Sequence, residues 1–447
     1  MKNLTNLLFL IAFLCFGSIS AQEKKQTKVS KKPNIIYILA DDLGIGDVSC
    51  YGSDKNKTPN IDLLAKGGMR FNHSYTAPLC GPSRAMILTG RYAFRTGAVN
   101  QDMVADIKPQ DEVLIPSVLK TEGYVTSLTG KWSQFSLTPG DFGFDDYITF
   151  QGSGDYWATQ KKKSENYIEN GVNKKLDTLT YMPDLMHNHL VNFITTNKDK
   201  PFFLYYSMVH VHALIQRTPD SKPGSDLYED NTAYMDKLVG KLLKTLDDLK
   251  LRENTLIIFM GDNGTASQYA FRSTIDGKEL SGKKGTMLEC GSLVPTIANW
   301  PGVIEANKVS NTLLDSSDLL PTFAEVAGAK LAANKILDGR SFLPQLIGKK
   351  GNPREWIFTE LGNKWYVREA KWKLNREGEL FDMSNAPFEE KLVSDFASNK
   401  EATEAHNRLQ KVLQELSPEK GILDNAGGSG RHASNVNRKK DKAKEEE

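Results

Sequence analysis

Residues 34 to 40 have the sequence Asn-Ile-Ile-Tyr-Ile-Leu-Ala, and Asp41 and Asp42 follow without a break. A continuous apolar run rich in β-branched residues predicts a strand that is covered on both faces, as in the parallel sheets of α/β proteins. Two more runs have the same character, namely residues 201–208 (PFFLYYSM) and residues 255–260 (TLIIFM). The three runs predict three buried strands of one sheet.

Each of these predicted strands ends in polar residues. The first is followed by the two aspartates, the second by His210-Val211-His212 and the third by Gly261-Asp262-Asn263-Gly264. Between the last two strands, residues 231–250 carry apolar side chains at helical spacing, which predicts a helix. Strands that alternate with helices indicate βαβ units, whose ligands bind beyond the carboxyl ends of the strands. The polar clusters therefore mark the candidate site.

The chain changes character after about Asp338. Residues 355–359, 365–374 and 378–383 predict short strands of an antiparallel sheet, and residues 401–416 predict a helix. We therefore expect a larger domain at 33–340 and a smaller subdomain at 341–420. Residues 421–447 are rich in glycine, serine and charge, which predicts a disordered tail.

Composition excludes a nucleic-acid-binding protein. The chain has 447 residues, of which 39% are hydrophobic and 25% are charged, which is typical of a globular protein with a substantial core. Its formal net charge is only +2, and the excess of lysine and arginine lies near the two ends. A protein that binds nucleic acid needs a basic face, so we expect no nucleic-acid partner.

The first 21 residues have the features of an export signal: a basic start at Lys2, an apolar stretch from Leu7 to Gly17 and a small-residue cleavage site that ends at Ala21. Lipidation of Cys15 is the alternative, although the bulky residues before it are atypical. Residues 22–32 form a lysine-rich linker, and no later segment has the roughly 18 uninterrupted apolar residues of a membrane span. These features predict a periplasmic protein, in preference to a secreted or lipid-anchored one.

Removal of the signal leaves Cys50, Cys80 and Cys290, an odd number for an oxidising compartment. At most one disulfide forms. A bond between Cys50 and Cys290 and two separate buried thiols both fit the sequence, because spacing gives no distance. Cys80 needs an explanation of its own.

The most specific motif is Cys80-Gly81-Pro82-Ser83-Arg84, which Leu88-Thr89-Gly90-Arg91 follows. Its C-x-P-S-R pattern resembles the signature of the formylglycine-dependent type I sulfatases, which include the arylsulfatases. The resemblance runs from about Pro33 to Leu416, because residues 34–42 and three later segments also match in order: Gly130-Lys131-Trp132, Gly285-Thr286 with Glu289, and Glu379-Leu380-Phe381-Asp382. It implies an α/β fold, an alkaline-phosphatase-like sandwich in which helices flank a large mixed, mostly parallel sheet. A smaller C-terminal α+β subdomain with an antiparallel sheet completes it.

The resemblance also implies roles for individual residues. The family cysteine, here Cys80, is oxidised to formylglycine by a formylglycine-generating or an anaerobic sulfatase-maturating enzyme. By motif position, Arg84 holds the modified residue, Lys131 and Lys284 bind sulfate, and His212 protonates the leaving oxygen. The implied ligands of a Ca²⁺ ion are Asp41, Asp42, Asp262, Asn263 and the modified Cys80.

Two of these roles have a physical basis apart from the resemblance. Oxygen donors without a cysteine thiolate suit a hard cation, either Ca²⁺ or Mg²⁺, although such residues also cap helices and turns after strands. Sulfate-ester cleavage needs a nucleophile, cations for the charged oxygens and an acid for the departing alkoxide. A hydrated aldehyde carries two hydroxyls on one carbon, one to attack sulfur and one to expel sulfate. Without modification, Cys80 would be a thiolate nucleophile or a structural residue.

The chain departs from the family pattern at Ser133, where Gly-Lys-Trp is usually followed by a histidine that assists sulfate expulsion. Serine is no general base at neutral pH, so His210, a carboxylate or water would take the proton, or turnover is slow or lost. For His210 we favour a core or supporting role. Gly261 replaces the usual serine before Asp262, and the aromatic residues Tyr156, Trp157 and Tyr167 are left unassigned.

We therefore expect a sulfuric ester hydrolase that acts on a sulfated oligosaccharide. The substrate would derive from an algal polysaccharide, such as ulvan or carrageenan, or from a glycosaminoglycan. A phosphoester or phosphonate hydrolase of the same superfamily is one alternative. A sulfated-glycan-binding pseudoenzyme is the other, and Ser133 motivates it.

Overall fold

The computed structural model describes residues 32–133, 135–150, 152, 156–158 and 166–424. The expected signal peptide, all but the last residue of the linker and the tail from residue 425 lie outside these residues. The strands are β1 Asn34–Ala40, β2 Met69–Phe71, β3 Ser74–Tyr75, β4 Val125–Lys131, β5 Asp146–Phe150, β6 Asn166–Glu169, β7 Val172–Lys175, β8 Phe202–Ser207, β9 Thr255–Gly261, β10 Thr274–Ile275, β11 Lys278–Glu279, β12 Thr296–Asn299, β13 Lys308–Ser310, β14 Leu314–Asp315, β15 Ile357–Leu361, β16 Lys364–Arg368, β17 Trp372–Asn375, β18 Leu380–Asp382 and β19 Lys391–Leu392.

A ten-stranded sheet forms the centre of the larger domain, in the order β13-β2-β12-β9-β1-β8-β4-β5-β6-β7. Strands β9, β1, β8, β4 and β5 run parallel to one another. Strand β12 pairs antiparallel with β9 and β2, and β6 and β7 are antiparallel at the opposite edge. The mixed, mostly parallel sheet that we expected is confirmed.

Helices cover both faces of this sheet. The described helices of the chain are α1 Pro59–Lys66, α2 Cys80–Thr89, α3 Ala93–Thr96, α4 Ile115–Lys120, α5 Met182–Thr196, α6 Leu227–Asp248, α7 Glu289–Ser292, α8 Leu319–Ala327, α9 Leu343–Leu346 and, in the C-terminal subdomain, α10 Lys400–Leu416. Side chains alternate along β1, so Ile36 and Ile38 pack with α1, α5 and α6, whereas Ile35, Tyr37 and Leu39 pack with α2, α4 and α8. Two apolar cores therefore lie on opposite faces of one sheet, which is the expected sandwich.

The register of the central strands brings the predicted polar clusters together. Leu39 of β1 lies opposite Ser207 of β8 and Met260 of β9, and Ser207 also lies opposite Gly130 of β4. The four strands thus end at the same level. The polar residues that follow them must share one edge of the sheet, as the sequence predicted.

The expected helix between β8 and β9 begins four residues early, at Leu227, because the side chain of Asp226 caps it by accepting from the backbone N–H groups of Tyr228 and Glu229.

The C-terminal subdomain is a five-stranded antiparallel sheet, β15 to β19 in sequence order, against which α10 packs. The single strand predicted over residues 365–374 is instead a hairpin of β16 and β17, closed by a hydrogen bond from Glu369 N to Trp372 O. The packed chain also continues past residue 420, because the Asp424 carboxylate accepts a 2.6 Å hydrogen bond from Asn100 Nδ2. At residues 421–424 the expectation of a disordered tail is therefore wrong.

No helix within the described ranges combines the length and the apolar character that a membrane crossing needs. Cys50, Cys80 and Cys290, which all lie in the described part of the chain, are free thiols. Cys50 and Cys290 therefore form no disulfide with each other in the structure. The thiol of Cys50 is half-buried and that of Cys290 is buried.

Candidate active site

Helix α2 places Cys80 at the carboxyl edge of the central sheet. Leu79 is extended, the helix begins at Cys80 itself, and it ends at Gly90, whose φ of 68° favours glycine. The Cys80 side chain is buried, and its Sγ lies with carboxylate oxygens of Asp41 and Asp262, all three within 4.8 Å of one another. The motif cysteine therefore meets the polar ends of β1 and β9.

The four predicted oxygen ligands form one buried group. The backbone N–H of Asp42 donates to Asp262 Oδ1 at 3.0 Å, and Asn263 Nδ2 donates to Asp42 Oδ1 at 2.9 Å. Burial raises the pKa of Asp41 to about 8 against the effect of Lys131, and the charges of Asp262 and Asp42 add to the rise. This crowding of carboxylates favours a positive charge among them.

The group fits a hard cation. Asp41 Oδ1 and Asn263 Oδ1 are buried and accept no hydrogen bond from any described residue. Buried polar atoms without a partner are unfavourable, and both are the oxygen donors that Ca²⁺ and Mg²⁺ prefer. These residues have the chemistry of a metal site, and the Sγ of Cys80 lies beside it.

Arg84 ties the helix to the site from one turn further along α2. Its guanidinium donates to Asp262 Oδ2 through Nη2 at 2.8 Å and through Nε at 3.1 Å. It also donates to the hydroxyl of Ser207 at the end of β8. The side chain is 1% exposed, so Arg84 is a fixed, buried support of the position that Cys80 occupies.

Two lysines contact the acidic group from different sides. Lys131, at the end of β4, is fully buried, and its Nζ donates to Asp41 Oδ2 at 2.6 Å. Gly130 before it has a φ of 111°, and a Cβ there would lie 1.9 Å from Ser207 O, so only glycine fits. Lys284 Nζ lies 2.6 Å from Asp42 Oδ1, and the charge of Asp42 raises the pKa of Lys284 against the effect of burial.

His212 and Lys284 lie at the open side of the site. Their side chains are 16% and 18% exposed, in contrast to the fully buried Lys131, Asp41 and Asp262. His212 Nε2 is 3.9 Å from Asp42 Oδ2, and Tyr156 OH donates to the His212 carbonyl at 3.0 Å. Of the side chains described here, those of His212 and Lys284 thus mark the side on which the site is open to solvent.

Burial, with the charges of Lys131 and Lys284, lowers the pKa of His212 to about 3, against the effect of Asp42. The ring is mostly buried between two lysines that are distant in sequence, so spacing along the chain does not reveal this shift.

His210 lies in the core and not in the pocket. Its ring is fully buried, Nε2 is 3.0 Å from Tyr181 OH, and the rings of Tyr156 and Tyr234 pack beside it. Burial lowers the pKa of His210 to about 3. This surrounding is what the core interpretation predicts, and it removes His210 as a substitute base.

The departures from the family pattern also have local explanations. Ser133 follows Trp132 with a φ of 76°, in the left-handed region. A Cβ at Gly261 would lie 2.2 Å from Leu43 O, so the chain has no room for the usual serine there. Trp157 packs on Tyr181 and donates to Arg217 O, and Tyr167 lies on β6, the strand next to the edge strand β7, so neither contacts the acidic group directly.

Three features of the site were not predicted from the sequence. Ser207 is the hydroxyl partner of Arg84, and the amide of Gln101 contacts Cys80 Sγ at 3.1 Å. The loop that carries Lys284 is held by the C-terminal subdomain: Glu289, at the start of α7, forms a buried ion pair with Arg368 of β16 at 2.9 Å. Ser207 alone had a sequence signal, as the polar end of an apolar strand.

Known proteins resemble this chain in sequence and in structure. The sequence profile of the family described as Sulfatase matches residues 33–329. Human arylsulfatase A is 34% identical over 382 residues, which cover 77% of this chain and 75% of the human protein. An N-acetylgalactosamine-6-O-sulfatase of Bacteroides thetaiotaomicron is 28% identical over 93% of this chain and 99% of that protein.

The crystal structure of Ps i-CgsB aligns with a TM-score of 0.76 at 29% sequence identity, covering 90% of this chain and 97% of that one. The profile match includes each site residue named above from Asp41 to Lys284. The chain therefore belongs to the type I sulfatase family and is a sulfuric ester hydrolase.

Proposed function

We propose that the protein is exported to the periplasm and removes sulfate from a sulfated oligosaccharide, with Cys80 matured to formylglycine and Ca²⁺ bound beside it. The oligosaccharide derives from an algal polysaccharide, such as ulvan or carrageenan, or from a glycosaminoglycan. The observation that carries the proposal is the position of Cys80 Sγ, within 4.8 Å of the Asp41 and Asp262 carboxylates to which Lys131 and Arg84 are bound. A maturating enzyme of either known kind is the required partner.

Carbohydrate is the favoured substrate because of what the relatives act on or bind. The similar bacterial protein is named as an N-acetylgalactosamine-6-O-sulfatase. A second structure of Ps i-CgsB, with a TM-score of 0.75 at 29% identity, holds k-i-k-neocarrahexaose. The activity in the name of the first protein and the ligand of the second belong to those proteins. Together they support a sulfated sugar as the substrate of this chain.

The arrangement of cations suits a sulfate ester. A formylglycine hydrate at position 80 would supply one hydroxyl to attack sulfur and a second to release sulfate. Lys131 and Lys284 approach the reacting position from the buried and the open side, so their ammonium groups can contact different sulfate oxygens. The guanidinium of Arg84 already donates hydrogen bonds to Asp262 and Ser207. Arg84 would therefore hold residue 80 in place without contacting the substrate.

His212 is the proposed donor to the leaving oxygen. It lies at the open side of the site, where the remainder of the sugar must project. A bound sulfate ester brings negative charge next to the imidazole, which favours its protonated form. The imidazole of His212 would thus be neutral before the substrate binds and protonated once the substrate is bound.

Asp41, Asp42, Asp262 and Asn263 would hold the cation. When bound, Ca²⁺ supplies positive charge that offsets the buried carboxylates and polarises a neighbouring oxygen. Chelation by EGTA is expected to lower the melting temperature and to abolish sulfate release, with Ca²⁺ restoring both better than Mg²⁺. The Asp262→Ala variant is the control, because a protein without this ligand should show no further change on chelation. An unchanged melting temperature after verified metal loss would contradict the assignment.

Ser133→His is expected to preserve or increase kcat if the missing histidine limits the rate. The backbone of Ser133 already holds a non-glycine residue in the left-handed region, so histidine adds no new strain there. Steady-state kinetics on a sulfate ester measure the effect, and Ser133→Ala separates loss of the hydroxyl from gain of the imidazole. A large loss in the histidine variant alone would show that the pocket is built around serine.

The activity is tested with matched sulfate and phosphate esters of the same sugars, with release of each anion measured. Release of sulfate and not phosphate is expected. Fully matured protein that binds sulfated oligosaccharide without turnover would instead establish the pseudoenzyme. Export is tested separately, because a periplasmic fraction should contain a chain that begins near Gln22.

A further inference from the structure

Gln101 is a buried residue that the family resemblance does not assign and that contacts the reacting position. It lies 21 residues after Cys80, in the loop that precedes the short helical turn Met103–Asp106, and is 7% exposed. Its Nε2 is 3.1 Å from Cys80 Sγ, and its Oε1 is 2.7 Å from the backbone N of Gly81. One side chain thus holds two consecutive residues at the N-terminus of α2.

The orientation of this amide follows from the chemistry of its partners. The backbone N–H of Gly81 can only donate, so the atom that faces it must be the carbonyl oxygen of Gln101. The NH₂ group is then directed at the side chain of residue 80. Gln101 can therefore donate a hydrogen bond to whatever atom occupies the Sγ position.

Gly81 makes room for this contact. A Cβ at position 81 would lie 2.3 Å from Gln101 Oε1 and 3.1 Å from a methyl carbon of Val104. No side chain larger than that of glycine fits while Gln101 keeps its place. The position of the Gln101 side chain therefore requires glycine at position 81.

The loop that carries Gln101 is itself anchored. Asn100 is fully buried, its Oδ1 accepts from the backbone N–H groups of Asp102 and Met103, and its Nδ2 donates to Asp424. The Gln101 amide is therefore delivered from a fixed backbone. A donor held in this way restricts the side-chain rotamer of residue 80.

We propose that Gln101 is the positioning residue for the nucleophile: its NH₂ donates to the side-chain oxygen that replaces Sγ after maturation and holds that oxygen on the side of Asp41 and Asp262. This rests on the proposed formylglycine. Sγ stands here for a hydroxyl oxygen of the hydrate, which is a good acceptor. A nucleophile free to rotate away loses alignment with sulfur, and displacements of about 1 Å cost roughly a hundredfold in rate.

Three variants remove the donor in different ways. Gln101→Glu keeps an acceptor for the Gly81 N–H but loses the NH₂, Gln101→Met loses both, and Gly81→Ala displaces the Gln101 side chain without changing it. Each is expected to lower kcat by about tenfold to a hundredfold at little change in KM. Gly81→Ala should lower the melting temperature modestly, because the displaced Gln101 no longer accepts a hydrogen bond from the backbone N–H of residue 81. A purely structural Gln101 predicts instead that Gln101→Glu is harmless and that rate follows stability.

Crystal structures of wild type and variants, with residue 80 unmodified and matured, give a readout that does not depend on turnover. We expect one rotamer of residue 80 in the wild type and several in the variants. Asn34→Ala is the matched control, since it removes a buried amide at the opposite end of β1, which bonds to Thr255 and Phe202 and lies away from Cys80. It should lower the melting temperature while each folded molecule keeps its kcat.

Wild-type kcat in either Gln101 variant, or a single unchanged rotamer of residue 80 in both, would overturn the proposal. The aldehyde content of each protein is measured with an aldehyde-reactive probe, so that rates refer to matured molecules. Wild-type protein that carries the aldehyde but releases no sulfate, or that releases sulfate without the aldehyde, would refute the proposed function itself. An active wild type with equally active variants would refute only the role of Gln101.

Discussion

Cys80→Ala should abolish sulfate release, with a loss of about 10⁴-fold or more, as expected when a covalent nucleophile is removed. Alanine can neither be oxidised to the aldehyde nor lose a proton to give a thiolate, so this variant removes formylglycine and a plain thiol nucleophile alike. The fold should survive, because Sγ accepts one hydrogen bond from the described residues, that of Gln101, and the backbone of α2 is held at its other residues. Circular dichroism and anion release measure the two effects.

Cys50→Ala is the control for this experiment. Cys50 is half-buried, away from α2, and its backbone N–H is bound to Asp62, so its replacement should leave turnover unchanged. The mass of the peptide that spans residue 80, before and after reaction with an aldehyde probe, decides between the two nucleophiles. Near-normal turnover by Cys80→Ala, or full turnover by protein with an untouched thiol, would end the formylglycine account.

Arg368→Met should destabilise the protein by about 3–5 kcal/mol, the usual cost of leaving one member of a buried ion pair alone. Both partners are 1% exposed: Arg368 binds Glu289 through Nη2 at 2.9 Å and Nε at 3.0 Å, and its guanidinium lies over the ring of Tyr75. Without it, the hydroxyl of Tyr75, at 2.7 Å, is the one hydrogen-bond partner left to the Glu289 carboxylate in the described part of the chain. Urea unfolding followed by fluorescence measures the loss.

Two comparisons make this prediction specific. Arg408→Met breaks a pair between Arg408, which is 55% exposed, and Glu369, and should have little effect because exposed pairs contribute at most about 1 kcal/mol. The double variant Arg368→Met/Glu289→Leu should recover part of the stability, since it leaves no unpaired buried charge. A double variant no more stable than Arg368→Met would show that packing, and not charge, causes the loss.

The fold was predicted most accurately from the sequence where a local residue pattern is compatible with only one type of secondary structure. The apolar run at 34–40 is β1 to the residue, because a strand that is covered on both faces needs apolar side chains along its whole length. The polar residues after β1 and β9 meet because parallel strands end at one edge. The motif cysteine reaches the same edge because α2 begins there.

The sequence was less informative where the outcome depends on tertiary contacts. The hairpin within 365–374 arises from a turn at Glu369 that the residue pattern does not mark. The low pKa of His212 depends on two lysines that are distant in sequence. Gln101 lies in a loop with no periodic signal, and it became a candidate only when the structure placed its amide against Cys80 and Gly81.

The attachment of the Lys284 loop to the C-terminal subdomain has a consequence for how such enzymes diverge. Besides the Arg368 pair, Lys373 Nζ donates to Met287 O at 2.8 Å, and Ser281 N donates to Pro387 O at 2.8 Å. Lys284, the proposed sulfate-binding lysine of the larger domain, is thus held from β16, β17 and the segment after β18. Grafting the C-terminal unit of a relative onto this chain would transplant the support of that cation together with any new sugar contacts, so altered selectivity in such a chimaera would not by itself locate a sugar-binding surface.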